Sequence, residues 1–94
     1  MHSVEGVSAE TDAVGRAIIL LEQATVDEPP EYWQVVLDDL EPFVDLEALT
    51  HASIAFQYVV ALRDRTDSAR TCEGRAACIA DAKMFLWQAH QFPS

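Results

Sequence analysis

Glu47 and His51 are the first residues in this chain whose types and spacing could do chemistry. On a helix they stand one turn apart, so a carboxylate and an imidazole could share a metal ion or a proton. A metal site in a helix bundle draws several such ligands from facing helices. Here no second carboxylate–histidine pair of that spacing exists, and the neighbouring acids adjoin turns. The pair therefore reads as an ordinary helical ion pair, and no metal or cofactor is assigned. His90 falls near a helix C-terminus, where it suits the helix dipole, and His2 lies in the N-terminal stretch.

Cys78 would act as a nucleophile only beside a base, and His90 is too far along the same helix to serve. A buried thiol is the simpler reading. On a continuous helix Cys72 and Cys78 would lie about 9 Å apart along the axis and point about 120° apart, too far for a disulfide. Both thiols are expected free. The glycines are isolated, so no loop cradles a phosphate. No catalytic residue is assigned.

What remains is a cluster of carboxylates: Asp38, Asp39 and Glu41, extended by Asp45 and Glu47, bracketing Pro42. Clustered acids of this kind pair with Lys and Arg of a partner and steer its approach. Tyr32 and Trp33, just upstream, are candidates for an aromatic anchor. The competing reading is a solvated helix face that keeps a small protein soluble.

The charge distribution sharpens this. The chain has 94 residues, 16 acids and 6 bases, for a net charge of −10. From residue 17 to 62 there is no Lys or Arg but nine acids, whereas from residue 63 onward five bases meet four acids. An acidic body of this kind disfavours direct contact with nucleic-acid phosphates or anionic lipid and favours a basic protein. No run approaches the ~18 apolar residues of a membrane span. The N-terminus lacks the basic and apolar regions of a signal peptide, so a cytoplasmic location is expected.

The elements that must position these residues are all helical; no hairpin turn chemistry or strand alternation competes. Residues 1–7 lack periodicity and read as a mobile tail, with residues 8–92 forming one domain. Ser8 looks like the N-cap of a first helix reaching about Ala24, whose inward arc is Ala13, Val14, Ala17, Ile18, Leu20, Leu21 and Ala24. Gly15 there either costs helix stability or permits close approach. Pro29 and Pro30 break the chain and open a second helix, capped by Asp27 or Glu28, with Trp33, Val36, Leu37 and Leu40 as its seam. That helix ends or kinks near Pro42, and Phe43 and Val44 staple the corner.

A central helix over Asp45–Arg65 is expected next, capped by Asp45, with Leu46, Ala48, Leu49, Ala52, Ala55, Phe56, Val59, Val60 and Leu62 inward. A fourth helix starts near Asp67 or restarts near Gly74 and stops before Pro93. It turns Cys78, Ile79, Ala82, Phe85, Leu86 and Ala89 inward. The expected fold is thus all-α, a compact four-helix bundle.

Apolar residues off these arcs add one more expectation. Ile19, Ile54 with Tyr58, and Met84 with Trp87 form a second apolar set flanked by small residues, and half of the whole chain is apolar. That excess suits an interface, so a homodimer or another oligomer is expected. The function expected from all this is a non-catalytic protein–protein interaction or regulatory protein, a small acidic adaptor. The alternatives are an inhibitor whose carboxylates imitate nucleic-acid phosphates, and a small helical enzyme or metal-binding subunit.

Overall fold

The computed structural model describes the backbone of residues 2–92 and the side chains of residues 9–92. The mobile tail expected over 1–7 and the capping side chain of Ser8 lie outside the fully described residues. Four α-helices make up the described fold, and no strand occurs among these residues. They are α1 (His2–Gln23), α2 (Pro30–Leu40), α3 (His51–Asp64) and α4 (Cys72–Gln91), with short 3-10 turns at Glu41–Phe43 and Asp67–Arg70. The backbone of α1 is already helical at Ser8, so Ser8 does not stand at its start.

The helices close into a bundle in chain order. Each of α1 and α3 packs against both α2 and α4, so the first helix meets the last. Neighbours run antiparallel, as short connections require. Tyr32 at the start of α2 donates its hydroxyl to the Leu20 carbonyl near the end of α1. Arg63 at the end of α3 reaches Gln34 at the start of α2, Nη1 to Oε1, 3.0 Å. His51 at the start of α3 stacks on Phe85 late in α4. The result measures 45 × 25 × 19 Å.

The apolar arcs form the core. Val14, Ala17, Ile18 and Leu21 of α1 meet Trp33, Val36, Leu37 and Leu40 of α2, all buried. Ala55, Val59 and Leu62 of α3 and Cys78, Ile79, Ala82 and Leu86 of α4 complete it. Each large aliphatic side chain so buried contributes about 1.5–3 kcal/mol. Leu20, Ala24, Val44, Phe56, Val60, Phe85 and Ala89 are half-buried against this core.

Two helix starts differ from the sequence expectation, each for a local reason, and the alternative left open at Pro42 is resolved. α3 begins at His51 rather than Asp45, because Thr50 is its cap: the Thr50 hydroxyl accepts the Ser53 N–H at 3.2 Å. Asp45 instead accepts the Glu47 N–H at 3.0 Å and closes a turn of its own. Leu49 between them has φ 48°, in the left-handed region, which breaks the helical path. Leu46, Ala48 and Leu49 therefore face solvent instead of the core. α2 starts one residue after Pro29, and neither Asp27 nor Glu28 caps it. Glu28 folds back to accept from the Thr25 N–H and hydroxyl. α2 ends at Leu40 in the turn containing Pro42, so α2 and α3 are separate helices and not one kinked rod.

α4 starts at Cys72, capped by the Thr71 hydroxyl, which accepts the Gly74 N–H at 2.9 Å. Cys72 and Cys78 share this continuous helix, so an intrachain bridge between them is geometrically closed off. The residue that sequence patterning missed here is Arg75, which is only 8% exposed. Its guanidinium donates to the Val26 carbonyl (2.7 Å), the Ala69 carbonyl (3.1 Å) and the Arg70 carbonyl (3.3 Å). One side chain thereby ties the α1–α2 connection and the Asp67–Arg70 turn to α4.

Arg75→Met, which keeps the stem but leaves those carbonyls without a partner, is expected to lower unfolding stability by about 2–3 kcal/mol. Arg75→Lys, unable to fork, should recover only part of that loss. Urea midpoints of the three proteins measure both.

Two glycines give the opposite pair of outcomes. A Cβ at Gly15 meets nothing within 4 Å, whereas one at Gly74 falls 1.5 Å from the Ser68 carbonyl oxygen. Gly15→Ala is expected to raise stability by about 1 kcal/mol through helix propensity. Gly74→Ala must push the Asp67–Arg70 turn off α4 and should lower it. A thermal melt of each variant that moved both in the same direction would contradict this packing.

Candidate functional site

The antiparallel arrangement gives the bundle two unlike ends. One gathers the end of α1, the start of α2, the end of α3 and the start of α4. Arg63, Arg65, Arg70 and Arg75 all belong to it. The other gathers the first half of α1, the end of α2, the 44–50 connection, the start of α3 and the end of α4. It holds Asp38, Asp39, Glu41, Asp45 and Glu47.

At this acidic end an open cleft of about 610 Å³ lies between the 44–50 connection, α3 and α4. Its floor and walls are apolar: Phe43, Leu49, Ile54, Phe85, Ala89 and Phe92. Glu10 of α1 and Asp45 of the connection supply carboxylates to its lining, and no Lys or Arg lines it. His51 is the lining imidazole, stacked on Phe85 with ring centroids 6.2 Å apart. The apolar lining reaches the open side of the cleft, because Leu49 and Phe92 are 65% and 66% exposed, and Leu46, next to Asp45 in the chain, is 54% exposed.

Placed on this frame, the residues singled out from sequence separate into groups. Asp45 and Ile54, one from the acidic set and one from the off-core apolar set, line the same cleft. Glu41 and Glu47 are exposed on the segments leading into it. Asp38 is exposed and accepts from the Gln34 amide at 2.9 Å. Asp39 is not free of cations as the base-free stretch suggested, since Arg16 of α1 lies 3.7 Å away. At that distance and exposure the pair contributes little to stability.

Trp33 is 1% exposed and belongs to the core, so in this fold it offers no surface to a partner. Tyr32 meets Trp33 edge-on and spends its hydroxyl on α1. Burial, and then the nearby Glu28 carboxylate, push the Tyr32 phenol above its usual pKa.

The off-core apolar residues also divide. Tyr58 stacks on Phe85 at 6.0 Å, between α3 and α4, and is half-buried with Ile54. Ile19, Met84 and Trp87 point outward, 53%, 49% and 46% exposed, and Trp87 packs edge-on against His90.

Glu47 and His51 do not share a helix, because α3 starts at His51. The one-turn helical spacing on which their pairing rested is therefore absent. Among the described residues no three His, Cys, Asp or Glu side chains gather as a metal site would need. A second cavity of about 300 Å³ is lined by Tyr58, Asp67, Ser68 and Cys78 among others. The Cys78 sulfur sits 3.3 Å from the Ser68 hydroxyl, and no imidazole or amine lines the cavity to activate it.

No helix among the described residues is long and apolar enough to cross a membrane. Compared with protein families, with curated proteins and with solved structures, the chain matches none.

Proposed function

We propose that the protein is a non-catalytic interaction protein, a small acidic helical adaptor or regulator that binds another protein through its acidic end and works as a homodimer. The observation that carries this reading is contiguity: an open, largely apolar cleft with two carboxylates and no Lys or Arg in its lining. The carboxylates draw in and orient a basic partner. The apolar floor then adds stabilisation that salt does not screen, about 25 cal/mol per Å² covered. Tyr32 and Trp33 drop out of the contact surface because both are committed to packing.

The alternative is a nucleic-acid mimic, which needs the carboxylates Asp38, Asp39, Glu41, Asp45 and Glu47 but not the cleft. Salt separates the two, because a purely electrostatic mimic releases its partner as ionic strength rises.

A partner captured on the wild-type protein, purified and titrated directly, is expected to bind at least tenfold more weakly to Glu41→Lys/Glu47→Lys. These exposed changes should leave stability within about 0.5 kcal/mol, so unfolding would not explain the loss. Binding is expected to weaken but persist at 0.5 M salt. Complete loss there would favour the mimic, and indifference to the charge reversal would sink both readings.

Self-association in this proposal uses a different face, the outward side of α4. Ala76, Ala77 and Ala80 are exposed there beside Met84 and Trp87. Of the charged side chains of α4, Arg75 is buried, which leaves Glu73, Asp81 and Lys83 on the accessible side, a net charge of only −1. Two copies of a chain with net charge −10 meet there with less repulsion than the carboxylate-rich end would impose. Ile19 of α1 adds apolar surface, whereas Ile54 and Tyr58 belong to the clefts between α3 and α4.

Light scattering over a concentration series is expected to give twice the 10.4 kDa chain mass. Trp87→Glu should return the mass to that of a single chain. A wild-type monomer at every concentration would refute the dimer.

A further inference from the structure

We infer that the cleft at the acidic end receives one amphipathic, basic helical segment of a partner, its apolar side chains entering between Ile54 and Phe85 and its cations meeting Glu10 and Asp45. This rests on the binding-module reading above and names the chemistry of what is bound.

Three features of the cleft select that occupant. The first is shape. The cleft is open along the bundle end, and its apolar surface runs on through the exposed Leu49 and Phe92. A small-molecule site would enclose most of its ligand. An extended apolar surface instead suits a row of side chains at helical spacing, the mode in which an amphipathic helix lies in a groove.

The second feature is charge. Beside the His51 imidazole, the acidic side chains in the lining are Glu10 on α1 and Asp45 on the connection, no Lys or Arg lines it, and Glu41 and Glu47 flank Asp45 in sequence. A segment with acids beside its apolar face would meet repulsion here, as would a second copy of this acidic chain. A segment with Lys or Arg flanking its apolar stripe would gain an ion pair on each side.

The third is the availability of the site's own groups. Asp45 uses one carboxylate oxygen on the Glu47 N–H, at 3.0 Å, and is otherwise exposed. The turn that presents it is followed by Leu49 in the left-handed region, which keeps the Leu49 side chain out of the core. Apolar side chains held out of the core beside an apolar cleft gain by being covered.

The test uses three synthetic helical peptides on isotope-labelled full-length protein, followed by NMR shift mapping and titration at low and moderate salt. One peptide has a leucine stripe flanked by lysines. The second has the same lysines with serines for leucines, and the third has the same leucine stripe flanked by glutamates.

The Leu/Lys peptide is expected to shift Ile54, Phe85 and Phe92 and to leave Met84 and Trp87 unmoved. The other two should bind at least tenfold more weakly. Asp45→Asn/Glu10→Gln should weaken the Leu/Lys peptide about three- to tenfold at low salt and less at moderate salt. Leu49→Ser/Phe92→Ser, both at exposed positions, should weaken it at either salt.

The inference is overturned if the Leu/Glu peptide binds equally well, if the shifts fall outside the cleft, or if the cleft residues shift with protein concentration alone. The last outcome would make the occupant a second copy. Failure here is separable from failure of the binding-module reading. A captured partner that depends on Glu41 and Glu47 while no peptide enters the cleft removes only the occupant class. A cleft that binds the Leu/Lys peptide while no partner depends on those acids removes the module reading.

Discussion

The scarcity of cations is the constraint on which the rest of this structure depends. Six Lys and Arg must serve sixteen acids, and the fold places four of the six at one end of the bundle. Arg75 there is taken up by backbone carbonyls from two connections. Its nearest carboxylate, Asp27, is 3.9 Å away and largely exposed. Arg63 is held by Asp64 at 2.9 Å and by Gln34. The Asp64 carboxyl is lowered in pKa, mainly by that hydrogen bond. The cations that fasten the connections are therefore not available to neutralise the far end. Both ends carry more acids than bases, and the end holding the cleft keeps the larger excess because four of the six bases stand at the other.

The helices themselves depend on ordinary burial. α2 is the sharpest case, with Trp33, Val36, Leu37 and Leu40 wholly inside and the remaining positions facing water or half-buried. α4 is the contrary case. Arg75, Cys78, Ile79, Ala82 and Leu86 are buried on its inner face, yet Ala76, Ala77, Ala80, Met84 and Trp87 make its outer face apolar as well. A helix without a clear polar side is normally surrounded on all sides. In a four-helix bundle α4 has two neighbours, and its outer face is left in solvent.

The seams of α1 and α2 were legible in the sequence because a period of 3.6 needs only residue types, and there those types alternate cleanly; the inward arc of α4 was legible although its outer face is apolar too. The start of α3 was not. DLEALT has helical periodicity and a good cap at Asp45, but Thr50 caps better into the buried Ser53, whose hydroxyl returns to the Thr50 carbonyl at 2.9 Å. Only the backbone of Leu49 then shows the break, and a left-handed leucine costs about 1–2 kcal/mol that no residue pattern announces. Arg75 was equally hidden: its partners are carbonyl oxygens, which every residue has. The cleft was half legible. Asp45 and Ile54 had each been singled out, but for different faces. Glu10, Phe85 and Phe92 lie 31 to 38 residues from that region on either side, and only bundle closure brings them together.

Electrostatics also argues that the two surfaces assigned here must be different surfaces. A face that attracts a basic partner has to concentrate uncompensated carboxylates, and the same concentration repels another copy of the chain. A face for self-association has to avoid that excess and rely on apolar area and small residues that let backbones approach. Both requirements cannot be met on one patch of a chain with net charge −10. In the proposed arrangement they fall on separate patches, with carboxylates lining the cleft at one end and an apolar outer side of low net charge on α4. A dimer formed along α4 would leave one cleft open on each copy, since Met84 and Trp87 do not line it. Two identical clefts on one rigid dimer would bind a partner with two basic segments far more tightly than either cleft alone, provided the spacing of the segments matches.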